Sequence, residues 1–312
     1  MGIYNREITG EVRKVIIGKN EVADKVMMAI LAGGHILLED IPGVGKTTLA
    51  LGFSRSLGLD YKRVQFTPDV LPGDITGFTV YNRATGVFDY KQGAAMCNLL
   101  LADEINRTFS KTQAAMLEVM EERQVTVDGV TYEVPKPFVV IATQNPIGAS
   151  GTQMLPESQL DRFMICCSMG YPDTKSQIRI LKERLNAQPL EEVRQVSSAE
   201  EVLRMQEDVK QVYVSDELLE YMTVLCEVTR EHGNVELGVS PRGVLALCQM
   251  SRACAYMRGR DFVKPDDVKY VFIDVCAHRL VLNAKSVMNH VRAEDVLQMI
   301  AEEIPMPKIA KS

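Results

Sequence analysis

The sequence predicts an α/β fold, a parallel sheet flanked by helices, followed by a smaller all-helical region. Three observations predict it. Apolar strands alternate with helical patterns through the first half of the chain. One of those strands, Ile36-Leu37-Leu38, runs into a glycine-containing turn that ends in Gly45-Lys46-Thr47. Beyond Gly170-Tyr171-Pro172 the pattern becomes almost purely helical.

The elements follow in order. Val22, Val26, Met27 and Ile30 share one helical face, and Gly33-Gly34 stops that helix before a strand at His35–Leu38. Further strands are expected at Arg63–Phe66, Asn98–Ala102 and Phe138–Thr143. Ser110 and Gln113 have the spacing of a capping box for a helix running to about Glu122. Val125–Tyr132 reads as a hairpin whose Asp128-Gly129 suits a type I′ turn, and Phe78–Tyr90 as a weaker hairpin around Ala84-Thr85-Gly86. In the helical region Leu218, Leu219, Met222, Leu225 and Cys226 form one buried stripe. Ser240-Pro241 and Pro265-Asp266-Asp267 start helices, and Ala293–Glu302 reads as a last short one.

Composition bounds the function. A chain of 312 residues with 46% hydrophobic and 24% charged residues is that of a soluble globular protein. No apolar run approaches the ~20 residues of a membrane span, and Met1-Gly2-Ile3-Tyr4-Asn5-Arg6-Glu7 is neither a signal peptide nor a full myristoylation motif. A cytoplasmic location is expected. The seven cysteines lack a CxxC pair and read as reduced core residues, and the four histidines have no metal-ligand spacing. A net charge of −6 counts against a surface built to hold nucleic acid, although a locally basic pore can exist on an acidic protein.

The chemistry concentrates at strand ends. Gly43, Val44, Gly45, Lys46, Thr47 and Thr48 form a candidate phosphate-binding loop, in which backbone amides and the start of a helix face phosphate oxygens. Lys46 would reach the β- and γ-phosphates and the Thr47 hydroxyl would bind Mg²⁺. Asp40 stands where the strict pattern asks for glycine, and aspartate tolerates unusual backbone angles better than most residues. Asn98–Ala102 ends in Asp103-Glu104: Asp103 could hold Mg²⁺ through water and Glu104 could polarise an attacking water, although acidic pairs are also common on solvated loops. Asn145 could hold that water or touch the γ-phosphate, or mark an ordinary Asn-Pro turn. Arg162 is either a surface arginine paired with Asp161 or one presented to a neighbouring subunit's γ-phosphate. Arg242 sits in a first helical turn, where the dipole disfavours a cation unless an anion lies nearby.

These segments together resemble the AAA+ ATPases, and more narrowly the MoxR family, over essentially the whole chain. The most specific stretches are Leu38–Thr47 and Leu101–Thr108, completed by Ala142–Pro146, Leu155–Phe163 and Val239–Arg242. The family's phosphate loop also lacks the first glycine. The resemblance implies a P-loop NTPase core with Walker A at Gly43–Thr47, Walker B at Asp103-Glu104, sensor 1 at Asn145, an arginine finger at Arg162 and sensor 2 at Arg242. It places adenine near Ile17 and Gly18, in a segment that the residues alone could equally make a short core strand. Residues 1–172 would form the core, with hairpin insertions near 78–90 and 123–134, and 173–312 a helical lid. The approach Phe88–Ala94 departs from the family, which often carries a proline there.

The function the resemblance implies is Mg-ATP binding and hydrolysis by a ring, expected to be a hexamer, that remodels protein partners or assembles metal sites like a chaperone, with a von Willebrand A-type domain protein as partner. Two alternatives share the motifs: a motor subunit of a DNA-processing or metal-chelatase complex, and an ATP-gated scaffold with little turnover. The acidic balance leans against the DNA motor, and intact Glu104 and Arg162 lean against the scaffold.

Overall fold

A computed structural model describes residues 2–145, 155–186 and 189–307. Pro146, quoted above in the Asn145 motif, lies outside the described residues. Helices α1 (Gly2–Val15) and α2 (Asn20–Leu31) precede strand β1 (Ile36–Glu39), which leads through the phosphate loop into α3 (Lys46–Leu57). There follow β2 (Tyr61–Gln65), the short α4 (Pro72–Thr76), a hairpin of β3 (Gly77–Asn82) and β4 (Val87–Gln92), β5 (Leu99–Asp103) and α5 (Ser110–Glu122). A second hairpin, β6 (Gln124–Val127) and β7 (Val130–Glu133), leads to β8 (Val139–Gln144), α6 (Glu157–Leu160) and β9 (Ile165–Cys167). The remainder is helical: α7 (Thr174–Asn186), α8 (Ala199–Lys210), α9 (Asp216–Glu231), α10 (Pro241–Met257), α11 (Pro265–Cys276), α12 (Ala284–Met288) and α13 (Ala293–Glu303). A small antiparallel pair, β10 (Val235–Leu237) and β11 (Val281–Leu282), interrupts it.

The main sheet has the order β2-β5-β8-β1-β9 and is parallel throughout. Every residue of β5 and β8 is buried, as expected of strands covered on both faces. Side chains alternate between two apolar clusters: Ile36, Leu38, Leu99, Leu101, Val139 and Ile141 face one, while Leu37, Leu100, Ala102, Val140 and Ala142 face the other. The first cluster runs without a break through α2 and α3 into α8–α11, so the helical region shares its core with one face of the sheet. Each fully buried leucine or isoleucine contributes about 1.5–3 kcal/mol to that packing.

One open alternative and two local expectations fail. Segment 15–17 is no strand; it ends α1 and turns at Gly18. Leu219 leaves the buried stripe of α9 and is 43% exposed, with Tyr221 buried in its place. The capping box is absent, because α5 already starts at Ser110. Phe109 takes the N-cap position without a side-chain bond, and Gln113 instead donates to the Ile105 and Thr108 carbonyls.

Candidate functional site

Parallel pairing in register brings three strand ends level. Leu38 lies opposite Thr143 and Glu39 opposite Gln144, while Ala102 lies opposite Ala142. The residues that leave β1, β5 and β8 at this edge therefore meet in one cleft of about 390 Å³, lined by Gly43, Lys46, Thr47, Asp103, Glu104 and Asn145 among others. Open α/β sheets place ligands at such carboxyl ends.

The phosphate loop has the backbone its glycines permit. Gly43 and Gly45 have φ of +85° and +103°, and a Cβ on Gly43 would meet nothing within 4 Å, so the loop leaves open space for a ligand. Lys46 is buried and donates to the Asp40 carbonyl at 2.8 Å. Burial pushes its ammonium below the usual lysine value, and the negative charges of Asp40, Asp103 and Glu104 pull it back up. Asp40 itself is not in the left-handed region; its conformational tolerance is not why it stands there. Its buried carboxylate accepts from the Ile41 amide at 3.0 Å, the Gly170 amide at 2.8 Å, the Met169 amide and the Ser168 hydroxyl. A charged acceptor thus ties the loop to the chain leaving β9.

Thr143 organises the acidic pair. Its hydroxyl donates to Asp103 Oδ1 at 2.6 Å and accepts from the Glu104 amide at 2.8 Å. Asp103 Oδ2 receives Arg63 Nη2 at 2.7 Å. Glu104 has φ +57°, a left-handed conformation for a side-chain-bearing residue. Its Oε1 accepts from Asn145 Nδ2 at 2.9 Å, and its Oε2 from Gln65 Nε2 at 2.8 Å and Arg107 Nη1 at 2.9 Å. Asn145 Oδ1 is buried and has no partner among the described residues. This is an oriented carboxylate beside an open acceptor, which is what holding and deprotonating a water requires.

Ile17 and Gly18 line a separate cleft of about 590 Å³ between the end of α1 and the start of α7, with Lys175, Ser176 and Arg179. Ile16, next in the chain, is 3.8 Å from where a Gly45 Cβ would stand, so this segment abuts the phosphate loop.

Arg162 and Arg242 are not among the residues lining the phosphate-loop cleft. Both converge on Glu121 at the end of α5, Arg162 at 3.2 Å and Arg242 in a closer ion pair. Glu121 is the anion that offsets the unfavourable dipole at Arg242. Asp161 does not pair with Arg162; it accepts from Ser240 Oγ at 2.9 Å and Arg279 Nε at 2.7 Å, fixing the start of α10 beside Arg162.

Residues 35–165 match the family model described as the ATPase family associated with various cellular activities (AAA), and residues 227–300 match an AAA lid domain. The chain is 43% identical to the uncharacterized protein YeaC of Bacillus subtilis, over 95% of this chain and 92% of that one. It is 37% identical to the chaperone MoxR1 of Mycobacterium tuberculosis, over 96% of this chain and 81% of that one. The chain belongs to the MoxR family of AAA+ ATPases. The crystal structure of a provisionally assigned ATPase from Cytophaga hutchinsonii superposes with a TM-score of 0.89 at 34% identity, covering 98% of this chain and 96% of that one.

Sequence reasoning missed several residues that the structure brings to the cleft or to the paired arginines: Arg63, Gln65, Arg107, Glu121, Thr143 and Arg184. Arg63 and Gln65 left a signal, since two long polar side chains spaced by two residues on a strand point to one side. Thr143 left one too, as a hydroxyl closing an apolar strand. Glu121 and Arg184 look like ordinary surface residues of charged helices, and only the tertiary structure distinguishes them.

Proposed function

We propose that the phosphate-loop cleft binds Mg-ATP and hydrolyses it, in a ring of subunits that remodels protein partners. The observation that carries this reading is the Glu104 carboxylate, held between Asn145, Gln65 and Arg107 in the same cleft as Lys46. Glu104 takes the proton of the attacking water through Oε1, and Asn145 orients that oxygen while its unpartnered Oδ1 accepts from the same water. Lys46 and the loop amides hold the phosphates, and the turn at Ile17 and Gly18 holds adenine. Thr47 and Asp103 would hold magnesium: one hydroxyl and one carboxylate suit a hard ion that takes its other ligands from water and phosphate. Bound there, the ion supplies positive charge to the phosphate oxygens.

Arg162 and Arg242 do not line their own cleft and share one acid, which supports their acting on a neighbour's phosphates in a ring, which we take to be a hexamer. Exposed Phe78, Tyr81, Val87 and Phe88 on the β3–β4 hairpin support a protein client, and the family likeness supports a von Willebrand A-type partner. Among the described residues no helix is long and apolar enough to cross a membrane. A cytoplasmic place of action is part of the proposal, supported by the family likeness alone.

Binding and turnover assays on two variants test the chemistry. Glu104→Gln keeps ATP affinity and loses about 100-fold or more in turnover, since the amide keeps the shape but accepts a proton poorly. Lys46→Ala loses tight ATP binding. Wild-type turnover in the first variant removes Glu104 from the mechanism, and unchanged affinity in the second makes Lys46 a structural lysine.

A further inference from the structure

The phosphate-loop cleft is lined by three cations of which two are already engaged. Lys46 donates to the Asp40 carbonyl and Arg63 pairs with Asp103. The third, Arg184, is exposed, and no carboxylate within ion-pair distance of it is found among the described residues. It comes from the last turn of α7, in the helical region. The helix dipole favours a cation in a last turn, but it does not account for that cation standing in the wall of this cleft.

The course of α7 gives the position meaning. Near its start, Lys175, Ser176 and Arg179 line the cleft that contains Ile17 and Gly18; near its end, Arg184 lines the cleft that contains Lys46. Eight residues separate Ser176 from Arg184, about 12 Å of helix, and one helix therefore borders both clefts. The apolar side chains Ile178, Leu181 and Leu185 are exposed, so little core packing fixes the C-terminal half of α7. A ligand contact there competes with few others.

We propose that Arg184 holds the polyphosphate tail of the nucleotide in its own subunit's cleft, so that α7 is drawn onto the ligand when the cleft fills. This rests on the nucleotide reading of the cleft and adds to it a same-subunit contact from the helical region. The guanidinium fork matches paired phosphate oxygens, and the exposed side chain reaches them without giving up a salt bridge.

Calorimetric titration of the full-length chain with Mg-ATP, Mg-ADP and adenosine tests it. Arg184→Ala weakens ATP and ADP by about tenfold, as expected for a charge-assisted hydrogen bond. It leaves adenosine affinity unchanged, and Arg184→Lys recovers part of the loss. Hydrogen exchange adds a reading: ATP slows exchange across α7 in wild type and does so less in Arg184→Ala. Wild-type ATP affinity in Arg184→Ala, or an equal loss for adenosine, overturns the proposal alone. A wild-type chain that binds no ATP overturns the cleft reading with it.

Discussion

At the scale of single residues, Glu104 is held in a conformation that its type disfavours. A non-glycine residue in the left-handed region costs about 1–3 kcal/mol unless its surroundings enforce it, and here three side chains and the Thr143 hydroxyl enforce it. His35 is determined just as tightly from the other end of the sheet. It is buried, with Nε2 3.0 Å from the Met120 carbonyl and Nδ1 3.0 Å from the Val140 amide. A neutral ring donating through Nε2 and accepting through Nδ1 satisfies both. Burial pulls its pKa from 6.5 down to about 4. The unfolded chain therefore binds a proton at His35 between those values when the folded one does not. The stability this ring contributes is fully present above pH 6.5 and is lost as pH falls toward 4, by about 2 kcal/mol at pH 5. Denaturant unfolding at pH 7 and pH 5 checks it: wild type loses about 2 kcal/mol more between the two than His35→Gln does, and equal losses refute the assignment. None of this was legible in the sequence, where His35 is only the residue before an apolar strand. The acid pair was legible because an apolar run that ends in two carboxylates is conspicuous. The side chains that clamp it arrive from β2, β8 and the turn after β5.

At the scale of elements, β1, β5 and β8 could be read because strands covered on both faces must be apolar throughout. The β6–β7 hairpin was equally plain: Asp128 and Gly129 have φ of +50° and +80°, as a type I′ turn requires. Strand β9 has three residues and β11 has two, too few to show a period. What no pattern announced is that the two hairpins are joined. Tyr90 of β4 stacks on Tyr132 of β7 with centroids 4.0 Å apart and planes 11° from parallel, and Thr79 donates to Asp128. Stacked aromatic pairs contribute about 0.5–1.5 kcal/mol beyond their buried area. A double-mutant cycle on Tyr90→Ala and Tyr132→Ala measured by unfolding should give a coupling of about 1 kcal/mol. Additive losses would mean the hairpins only lie side by side.

At the scale of the whole molecule, the shared Glu121 holds together two guanidinium groups that do not line their own cleft. If that arginine pair completes a neighbour's site, activity belongs to the assembly. Arg162→Ala then binds ATP normally and hydrolyses it poorly, the loss reaching about 10³-fold where a finger is fully used. Mixed with Lys46→Ala subunits it recovers activity, because those subunits still present Arg162 to an intact cleft. Co-assembly without recovery, or specific activity unchanged on dilution through dissociation, rules out the shared site. The division into a sheet and a helical region was visible as a change of period near residue 172. The bond across it was not. Asp40 looked like a flaw in a glycine pattern, and it is the carboxylate that fastens the phosphate loop to Met169 and Gly170, in the segment between β9 and α7. Replacing it with glycine would make the sequence a better match to the generic motif and leave four donors without their acceptor. What looks like a repair by consensus would here be an injury.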